Sequence, residues 1–475
     1  MISTPEVHDL VVIGGGPGGY AAALYGAAAG LSVAVVEKDK VGGTCLHRGC
    51  IPAKEFLETA AVLRTVAGAK EFGIQASQPT VDFATSQARK QKVVDQLHRG
   101  LEGLMRSRSI TIVTGRGRLL AEVREDARVV RVEGGSSDSE ELLGRHVILA
   151  MGSVPRTIPG FEVDGRLVMD SDDVLDLSGL PGSVAVIGGG AIGCEFASMF
   201  SDLGSQVTVL EVLPQLLVNC DRDVAEVVAR SFRRRGVIVH TGVSVTGHTP
   251  NGTGTTVHFG EGQSVQVDAV VVSVGRRPLT EGALDAGSGV EVDDRGYVVV
   301  DDCMRTSAPH VFAVGDVVNT PQLAHVGFAE AIVAVKDVLG EPVVPVDYAR
   351  VPWGIYCNPE VAFAGYSEDG AKAAGFDVVV KKDPYGGNSR ARILGETDGL
   401  VKVIAERRAD GQAGRLIGVH MVGPWVTEQL GQGYLSVNWE ATPEEVGQFI
   451  QPHPTLSEAF GETVLALTGR GLHVG

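Results

Sequence analysis

The chain has little cysteine, few aromatic residues and no excess of positive charge. Its 475 residues include 6 cysteines and 5% aromatics, and 41 Lys and Arg stand against 58 Asp and Glu, giving a formal net charge of −17. Nucleic acids and anionic membranes are bound by clustered Lys and Arg, so this balance argues against both as partners. Six cysteines in so long a chain do not make a secreted disulfide framework, and we expect a cytoplasmic location.

Residues 10–36 carry no charge, and a hydropathy scan could take them for a signal peptide or a membrane span. Residues 1–9 ahead of this run contain Glu6 and Asp9 but no Lys or Arg, whereas a secretory signal begins with basic residues. The run also contains GGGPGG, which would break a continuous apolar helix. We therefore expect neither a signal peptide nor a membrane span, but a buried strand–helix–strand unit whose strands need no polar face.

Glycine, by contrast, is abundant, and two of its clusters follow one pattern. LVVIGGGPGGYAAALYGAAAGLSVAVVE, at 10–37, predicts a strand, a glycine turn, a helix and a second strand ending on an acid. SVAVIGGGAIGCEFASMFSDLGSQVTVLE, at 183–211, repeats that order, and in both copies the acid follows the first glycine by 23 residues. The spacing G-x-G-x-x-G permits a tight turn, close approach of a pyrophosphate and helix–strand packing. Two copies predict two dinucleotide sites in two domains.

The residues predicted to form these sites are Gly14, Gly16, Gly19 and Glu37 in the first copy and Gly188, Gly190, Gly193 and Glu211 in the second. Each acid ends a strand, where it can accept hydrogen bonds from a ribose diol. The second acid favours NAD over NADP, because a 2′-phosphate needs arginine and none occurs at 212–217, although Arg222 lies further on. The first copy predicts only an adenine dinucleotide. Asp316 in VFAVGDV suggests FAD, since it could hold a ribityl hydroxyl, but Gly-Asp after a strand is most often a turn.

Two cysteines, with four residues between them, occur in GGTCLHRGCIPAK, at 42–54. A zinc site would need two further ligands, and His47 supplies only one. A structural disulfide across so short a loop would add little stability and would tend to be reduced in the cytosol. Pro52 predicts a helix start, so Cys50 lies near a helix N-terminus, which stabilises a thiolate. We interpret Cys45 and Cys50 as a redox couple beside a flavin.

A candidate proton acceptor occurs near the C-terminus, in IQPHPTLSEAFGE. We expect a helix to begin at Pro454 or Thr455, with Glu458 in its first turn, where it could orient His453. A helix-start histidine with a solvated glutamate explains the pattern equally well. The remaining cysteines are expected to be small buried apolar residues; these are Cys194, Cys220, Cys303 and Cys357.

Taken in order, these motifs resemble the pyridine nucleotide–disulfide oxidoreductases, and the resemblance covers essentially the whole chain. Within that family it is greatest to the members that oxidise dihydrolipoamide, through HPTLSEAFGE, LAHVG with a following Ala-Glu, VGRRP, NPEVAFAG and GETDGLVKV. The resemblance implies an α/β fold with two Rossmann-like dinucleotide-binding domains and a C-terminal α+β dimerisation domain. It divides the chain into an FAD-binding domain (1–152 and 276–345), an NAD-binding domain (153–275) and an interface domain (346–475).

The resemblance also implies roles for matching residues. Cys45 would exchange with substrate, Cys50 would face the flavin, and His453, oriented by Glu458, would take the substrate's proton from the other subunit. Lys54 and Glu195 would pair beside the flavin. Further FAD contacts would be Gly117, Gly152, Asp316, Gln322, Leu323, Ala324 and His325, and Val243 and Gly275 would lie on the NAD side.

The implied enzyme is an FAD-dependent homodimer that passes electrons from protein-bound dihydrolipoamide to NAD. Its partners would be lipoyl domains of 2-oxoacid dehydrogenase complexes or the H protein of glycine cleavage, and it would need no metal. Alternatives are a glutathione- or mycothiol-type disulfide reductase or a quinone reductase of the same fold, and, in another class, a flavin-binding scaffold without catalysis. Three features depart from the family pattern, namely Met151, the His-Arg pair at 47–48, and the segment 381–394.

Overall fold

A computed structural model describes residues 7–134 and 140–474. Residues 1–6, on which part of the argument against a signal peptide depends, lie outside that range. The strands of the described residues are β1 Val7–Ile13, β2 Val33–Glu37, β3 Thr111–Thr114, β4 Arg116–Arg124, β5 Ala127–Glu133, β6 Glu140–Leu149, β7 Ser153–Pro155, β8 Val168–Met169, β9 Ser183–Ile187, β10 Gln206–Glu211, β11 Ile238–Thr241, β12 Val245–Asn251, β13 Gly254–Phe259, β14 Gln263–Val267, β15 Ala269–Val272, β16 Arg276–Pro278, β17 Val311–Ala313, β18 Trp353–Ile355, β19 Glu360–Gly365, β20 Val378–Pro384, β21 Leu400–Arg407 and β22 Ala413–Gly423.

The α-helices of the same residues are α1 Pro17–Ala28, α2 Gly43–Arg48, α3 Cys50–Gly68, α4 Phe83–Ser107, α5 Ser171–Leu175, α6 Ala191–Asp202, α7 Arg222–Arg234, α8 Ala324–Val338, α9 Glu368–Ala373, α10 Ser389–Leu394, α11 Val426–Asn438, α12 Pro443–Val446 and α13 Glu458–Leu467. Short 3-10 turns occur at Ala69–Phe72, Gly315–Val317 and Tyr385–Gly387. Both predicted strand–turn–helix–strand units are present, as β1-α1-β2 and β9-α6-β10. In the described part of the chain, no helix is long and apolar enough to cross a membrane.

The described residues divide into two compact units. The first comprises residues 1–55, 84–156 and 275–348, and the second comprises residues 56–83, 157–274 and 349–475. The division into three domains remains a prediction.

The first unit is built on a sheet of order β3-β2-β1-β6-β5-β4, with β17 also pairing with β6. The pairs β1–β2, β1–β6, β2–β3 and β17–β6 are parallel, whereas β4–β5 and β5–β6 are antiparallel. Both faces of β1 are buried, since Leu10 and Val12 belong to one apolar cluster and Val11 and Ile13 to another. The second half of the strand, residues 10–13, is therefore apolar on both faces, as is typical of a strand covered on both sides of a sheet.

The second unit contains a parallel sheet of order β11-β10-β9-β15-β8 and a small antiparallel sheet, β12-β13-β14. It also contains an antiparallel sheet of order β18-β19-β22-β21-β20, formed by the C-terminal part of the chain. Helices α11 and α13 pack on this last sheet, where Leu430, Phe460 and Val464 join Val403 and Met421 in one core. The expected α/β fold class is confirmed, since each unit contains one of the two predicted β-α-β arrangements and the C-terminal part of the chain forms an α+β region.

Candidate active site

The first glycine turn has the geometry of a dinucleotide cradle. A Cβ added at Gly19 would overlap the Gly14 carbonyl oxygen, so only glycine allows this helix to start so close to the strand. Gly16, at the N-cap of α1, has no side chain to cap the helix, and the first turn, Pro-Gly-Gly-Tyr, carries no acid. The positive end of the helix dipole is therefore not neutralised by its own first turn, which suits a pyrophosphate.

The acid at the end of β2 closes the same turn. Glu37 Oε2 accepts from Gly15 N at 2.7 Å and Oε1 accepts from Asp39 N at 2.9 Å. Each carboxylate oxygen can accept more than one hydrogen bond, so Glu37 can brace the turn and still receive a ribose hydroxyl.

The second turn repeats this arrangement in the second unit. A Cβ at Gly193 would overlap the Gly188 carbonyl oxygen, and Gly190 stands uncapped before α6. Glu211 Oε2 accepts from Gly189 N at 2.5 Å and Oε1 accepts from Leu213 N at 2.7 Å. The chain thus builds two cradles of one design.

The cysteine pair lies against the first of these turns. Gly42 N donates to Gly15 O at 2.7 Å, and a Cβ at Gly43 would lie 2.6 Å from Gly16 Cα. Cys45 is in α2, which begins at this contact, and Cys50 is the first residue of α3. Both side chains are partly buried, and neither forms a disulfide in the structure. The predicted location of Cys50 at a helix start is confirmed, and the pair sits beside the cradle.

The two thiols interact electrostatically. A hydrogen bond with Cys50, followed in size by burial, holds the pKa of Cys45 well above its usual range, while the Lys54 ammonium acts in the opposite direction. This is the behaviour of two adjacent sulfurs, of which one keeps its proton while the other is charged.

Tyr20, which directly follows the third glycine of the first turn, was missed by the sequence analysis. Burial raises its pKa to about 12, and charge on Cys45 and Cys50 acts in the same direction. Its ring packs on Phe328 with centroids 5.6 Å apart. Its place immediately after the glycine motif was the signal that could have identified it.

His47, between the two cysteines, is bound to the preceding loop. Its Nε2 lies 2.9 Å from Val41 O, and His98 Nδ1 lies 3.1 Å from the same oxygen. Burial lowers the pKa of His47, and the nearby His98 and Lys40 add to that effect. Among the described residues, no cluster of three or more His, Cys, Asp or Glu side chains is arranged to hold a metal ion.

Asp316 lies in the Gly315–Val317 turn of the first unit, beyond the end of β17. The strand ends at Ala313, so Gly315 and Asp316 lie in the turn that follows it. Asp316 Oδ2 accepts from Ser153 Oγ at 2.5 Å, and Arg276 Nε donates to that same hydroxyl at 2.7 Å. The carboxylate is thus held in one orientation by its neighbours.

The segment before α8 carries an unsatisfied polar group. Gln322 Nε2 is buried and, among the residues described, has no hydrogen-bond partner. Leu323 is the N-cap of α8, Ala324 is its first residue, and His325 is exposed. A buried donor without a partner costs stability unless a ligand accepts from it, so this group fits a cofactor that supplies acceptors.

Two further predicted FAD contacts are glycines in different surroundings. A Cβ at Gly117 would lie 2.7 Å from Ile13 Cγ2, so that glycine is explained by strand packing. Gly152 has a left-handed φ of 72°, and a Cβ there would meet nothing within 4 Å. Its backbone conformation, not crowding, favours glycine.

On the predicted NAD side, Glu195 and Val243 fall in the second unit and Gly275 in the first. Glu195 is 6% exposed, and its Oε1 accepts from Tyr356 N at 2.9 Å. Val243 N donates to Glu211 O at 3.0 Å, which ties it to the acid of the second cradle. Gly275 O accepts from Arg156 N at 2.9 Å.

The remaining cysteines largely match expectation. Cys194, Cys220 and Cys357 are buried, and burial is the main reason that the pKa of each is raised. Cys303, expected to be buried as well, is partly exposed.

The structure brings His453 and Glu458 together in the second unit. His453 Nδ1 lies 2.9 Å from Glu458 Oε2, the imidazole is 66% exposed and the carboxylate 14% exposed. The expected helix start at Pro454 or Thr455 was wrong. Helix α13 begins at Glu458, because Thr455 Oγ1 instead closes a turn by donating to Pro452 O at 2.8 Å and accepting from Glu458 N at 3.2 Å.

Comparison with protein families gives two matches in sequence. Residues 8–331 match the pyridine nucleotide-disulphide oxidoreductase family, and residues 351–464 match its dimerisation domain. The chain belongs to this family. A dihydrolipoyl dehydrogenase of Bacillus subtilis is 40% identical over 474 residues, covering 98% of this chain and 99% of that protein. One from Haloferax volcanii is 38% identical, covering 98% and 97%.

Solved structures agree. LpdA from Mycobacterium tuberculosis superimposes with a TM-score of 0.89 at 26% identity, covering 96% of this chain and 99% of that one. The HOCl-induced flavoprotein disulfide reductase RclA of Escherichia coli superimposes with a TM-score of 0.84 at 28% identity, with the same coverage.

Family membership makes the chain a flavin-dependent disulfide oxidoreductase and implies FAD and NAD as its cofactors. The dimerisation domain supports a homodimer. The expected family, fold class, enzyme type and cofactors are therefore confirmed. The roles of individual residues remain predictions.

Proposed function

We propose that the chain is a dihydrolipoyl dehydrogenase, which oxidises protein-bound dihydrolipoamide to lipoamide and reduces NAD to NADH. The observation that carries this proposal is the pair of thiols, Cys45 and Cys50, seated against the first glycine turn. A dithiol held beside a dinucleotide cradle can exchange electrons with a substrate dithiol on one side and with a bound flavin on the other. The dihydrolipoyl dehydrogenases of similar sequence support the choice of substrate.

The thiol chemistry begins from the oxidised pair, a Cys45–Cys50 disulfide. One substrate sulfur attacks Cys45 Sγ, forming a mixed disulfide and releasing Cys50 as a thiolate. The second substrate sulfur attacks the first, which expels Cys45 and closes the lipoamide disulfide. Two electrons and two protons leave the substrate, and both protein sulfurs are reduced.

The pair His453 and Glu458 serves as the base. Glu458 Oε2 accepts from Nδ1–H, which leaves the Nε2 lone pair free to accept a substrate thiol proton. After Cys45 is expelled, its raised pKa favours the protonated thiol, whereas the helix start at Cys50 favours a thiolate there. In the homodimer, His453 would act on the cysteine pair of the partner subunit.

The cofactor sites follow from the two cradles. The first, with Gly14, Gly16, Gly19 and Glu37, would hold the adenine dinucleotide part of FAD, and Asp316 and Gln322 would contribute further contacts. FAD bound there would supply a two-electron acceptor for the reduced cysteine pair and a hydride donor for NAD. The second cradle, with Gly188, Gly190, Gly193 and Glu211, would hold NAD, since its closing carboxylate would repel a 2′-phosphate.

The biological partners that fit this activity are lipoyl domains of 2-oxoacid dehydrogenase complexes, or the H protein of glycine cleavage. Both present a dihydrolipoyl group on a flexible arm. A cytoplasmic location suits a chain whose redox pair must cycle and whose other thiols stay reduced.

The test is a turnover assay on the purified, FAD-loaded protein. We expect rapid reduction of NAD by dihydrolipoamide, little reduction of NADP, and no dihydrolipoamide-dependent turnover in Cys45→Ser. Cys303→Ser is the matched control, because Cys303 is a partly exposed thiol outside this pair, and it should retain full turnover.

Other outcomes would identify the alternatives. If NADH reduces the bound flavin but dihydrolipoamide is inert, the substrate is another disulfide, such as a glutathione- or mycothiol-type compound, or a quinone. If neither NADH nor any dithiol changes the flavin spectrum, the protein is a flavin-binding scaffold, and the proposal is wrong.

A further inference from the structure

The segment 381–394 contributes a buried amide near the His453 turn. Asn388 is 7% exposed and is the N-cap of α10. Its Oδ1 accepts from Ala391 N at 2.9 Å, and its Nδ2 donates to Thr455 O at 3.0 Å. Because one partner is a donor and the other an acceptor, only one orientation of the amide satisfies both.

Thr455, which Asn388 holds, braces the turn that carries the imidazole. Thr455 Oγ1 donates to Pro452 O at 2.8 Å and accepts from Glu458 N at 3.2 Å. The Thr455 hydroxyl thereby links residues on both sides of His453. The Thr455 carbonyl oxygen is in turn bound by Asn388, at the start of α10.

The same amide also faces the catalytic carboxylate. Asn388 Nδ2 lies 3.5 Å from Glu458 Oε1, a long contact, while Glu458 Oε2 lies 2.9 Å from His453 Nδ1. One oxygen of Glu458 is thus directed toward Asn388 and the other toward the imidazole. A donor on one side of a carboxylate favours the rotamer that presents the other oxygen to the histidine.

We propose that Asn388 is a positioning residue for the His453–Glu458 pair. It holds the 452–458 turn through Thr455 and orients the Glu458 carboxylate, so that the exposed imidazole keeps one direction and one tautomer. Within its own subunit the imidazole is 66% exposed, so the hydrogen-bonded turn is the main restraint that this subunit places on it. The effect on turnover rests on the proposed function, whereas the effect on the tautomer does not.

Asn388→Asp separates positioning from helix capping. Asp is nearly isosteric and is as good an N-cap as Asn, so the bond from Ala391 N to the cap survives. Its second oxygen, however, would face the Thr455 carbonyl and the Glu458 carboxylate, both acceptors, and repulsion would displace Glu458 from the imidazole. Asn388→Ser is the uncharged companion variant, which keeps a capping oxygen but cannot reach Thr455.

The control variant is Ser367→Ala, in the same unit. Ser367 Oγ is the N-cap of α9 and accepts from Gly370 N at 3.1 Å, so its loss removes a cap without touching the 452–458 turn. A purely structural role for Asn388 would make Asn388→Asp no worse than this control.

The first measurement is steady-state turnover of the FAD-loaded dimer with dihydrolipoamide and NAD. We expect Asn388→Asp to lower kcat about ten- to hundredfold while KM stays within about twofold, because a misdirected base slows proton transfer without weakening substrate binding. Flavin reduction by NADH should be unchanged, and Ser367→Ala should match wild type.

The second measurement does not depend on the substrate. In protein labelled with 15N-histidine, with the His453 signals assigned by their absence in His453→Gln, the ring nitrogen shifts report the tautomer. We expect one Nδ1-protonated form in wild type and Ser367→Ala, and a mixture in Asn388→Asp and Asn388→Ser. If both Asn388 variants keep the wild-type tautomer and kcat, the inference is wrong. If the tautomer changes but wild type does not oxidise dihydrolipoamide, the proposed function fails and the positioning role stands.

Discussion

The two glycine turns, β1-α1-β2 and β9-α6-β10, share a backbone but differ in what surrounds them. Both helices have 12 residues and start at an uncapped glycine, and both closing acids accept from the amide after the first glycine. The position six residues after the first glycine is Tyr20 in one and Cys194 in the other. The first lies near Cys45 and Cys50, whereas the second is fully buried. The same turn is thus flanked by a pair of thiols in one case and by a packed interior in the other.

The closing acids differ in burial as well. Glu37 is partly exposed and is followed within six residues by the cysteine helix α2. Glu211 is 7% exposed. A carboxylate in a drier environment makes stronger hydrogen bonds, and its loss costs more. We therefore expect the same substitution to have different effects in the two turns, on flavin retention in the first and on NADH binding in the second.

The largest effects should come from the third glycines. A Cβ in Gly19→Ala or Gly193→Ala would collide with backbone, so the helix must move away from the strand. We expect Gly19→Ala to lose its flavin altogether on gel filtration, and Gly193→Ala to keep its flavin but lose its reduction by NADH. Gly103→Ala, where a Cβ would meet nothing within 4 Å, is the matched control. Loss of flavin in Gly193→Ala would contradict the assignment of the two turns.

Substitutions of the closing acids, Glu37 and Glu211, should have the next largest effects. Glu211→Gln puts an NH₂ group on a side chain whose two oxygens both accept backbone amides, so one amide loses its acceptor. We expect the Kd for NADH to rise about tenfold, since a hydrogen bond to a charged group contributes roughly 1.5–3 kcal/mol. Glu37→Gln should change flavin retention less, because water can replace its bonds. If Glu37→Gln weakened flavin binding as much as Glu211→Gln weakens NADH binding, or more, burial would not determine how much each acid contributes to cofactor binding.

A third experiment addresses the pH dependence of the thiols. The hydrogen bond with Cys50 is the largest cause of the raised pKa of Cys45, so removing it in Cys50→Ala should lower that pKa. Because the thiolate is the nucleophile, alkylation of Cys45 by iodoacetamide should then begin at lower pH than in the reduced wild type. Cys194, whose pKa is raised by burial, should stay unreactive in both proteins. An unchanged pH profile would mean that burial, not Cys50, controls Cys45.

The smallest effects should come from the paired positions Tyr20 and Cys194. Tyr20→Phe keeps the ring that packs on Phe328 but removes the hydroxyl, so we expect kcat to change a few-fold with little change in melting temperature. Cys194→Ser should lower the melting temperature and leave kcat nearly unchanged. It alters a buried group that donates to Gly189 O and is not one of the two paired cysteines. Turnover affected by Cys194→Ser but not by Tyr20→Phe would reverse the comparison.

Much of the site was predictable because its signals are local. Glycine spacing, the acid that follows it and the Pro after Cys50 each act over one turn of backbone, so the residues that form the cradles and start α3 are evident from short stretches. The pairing of His453 with Glu458 is also local, since five residues separate them. The predicted helix boundary was wrong where a side chain competes with the backbone for hydrogen bonds. Thr455 Oγ1 closes a turn, and α13 therefore begins at Glu458.

What the sequence by itself determined is the chemistry available, namely two dinucleotide turns, a pair of thiols and a histidine with a carboxylate. Only the tertiary structure decided which groups meet. Gly43 lies against Gly16 although 27 residues separate them, and Asn388 reaches Thr455 across 67 residues. Such contacts depend on how distant segments pack, and packing is not encoded in any short pattern. The structure therefore placed the thiols beside the first turn and brought the Asn388 amide to the turn that carries His453.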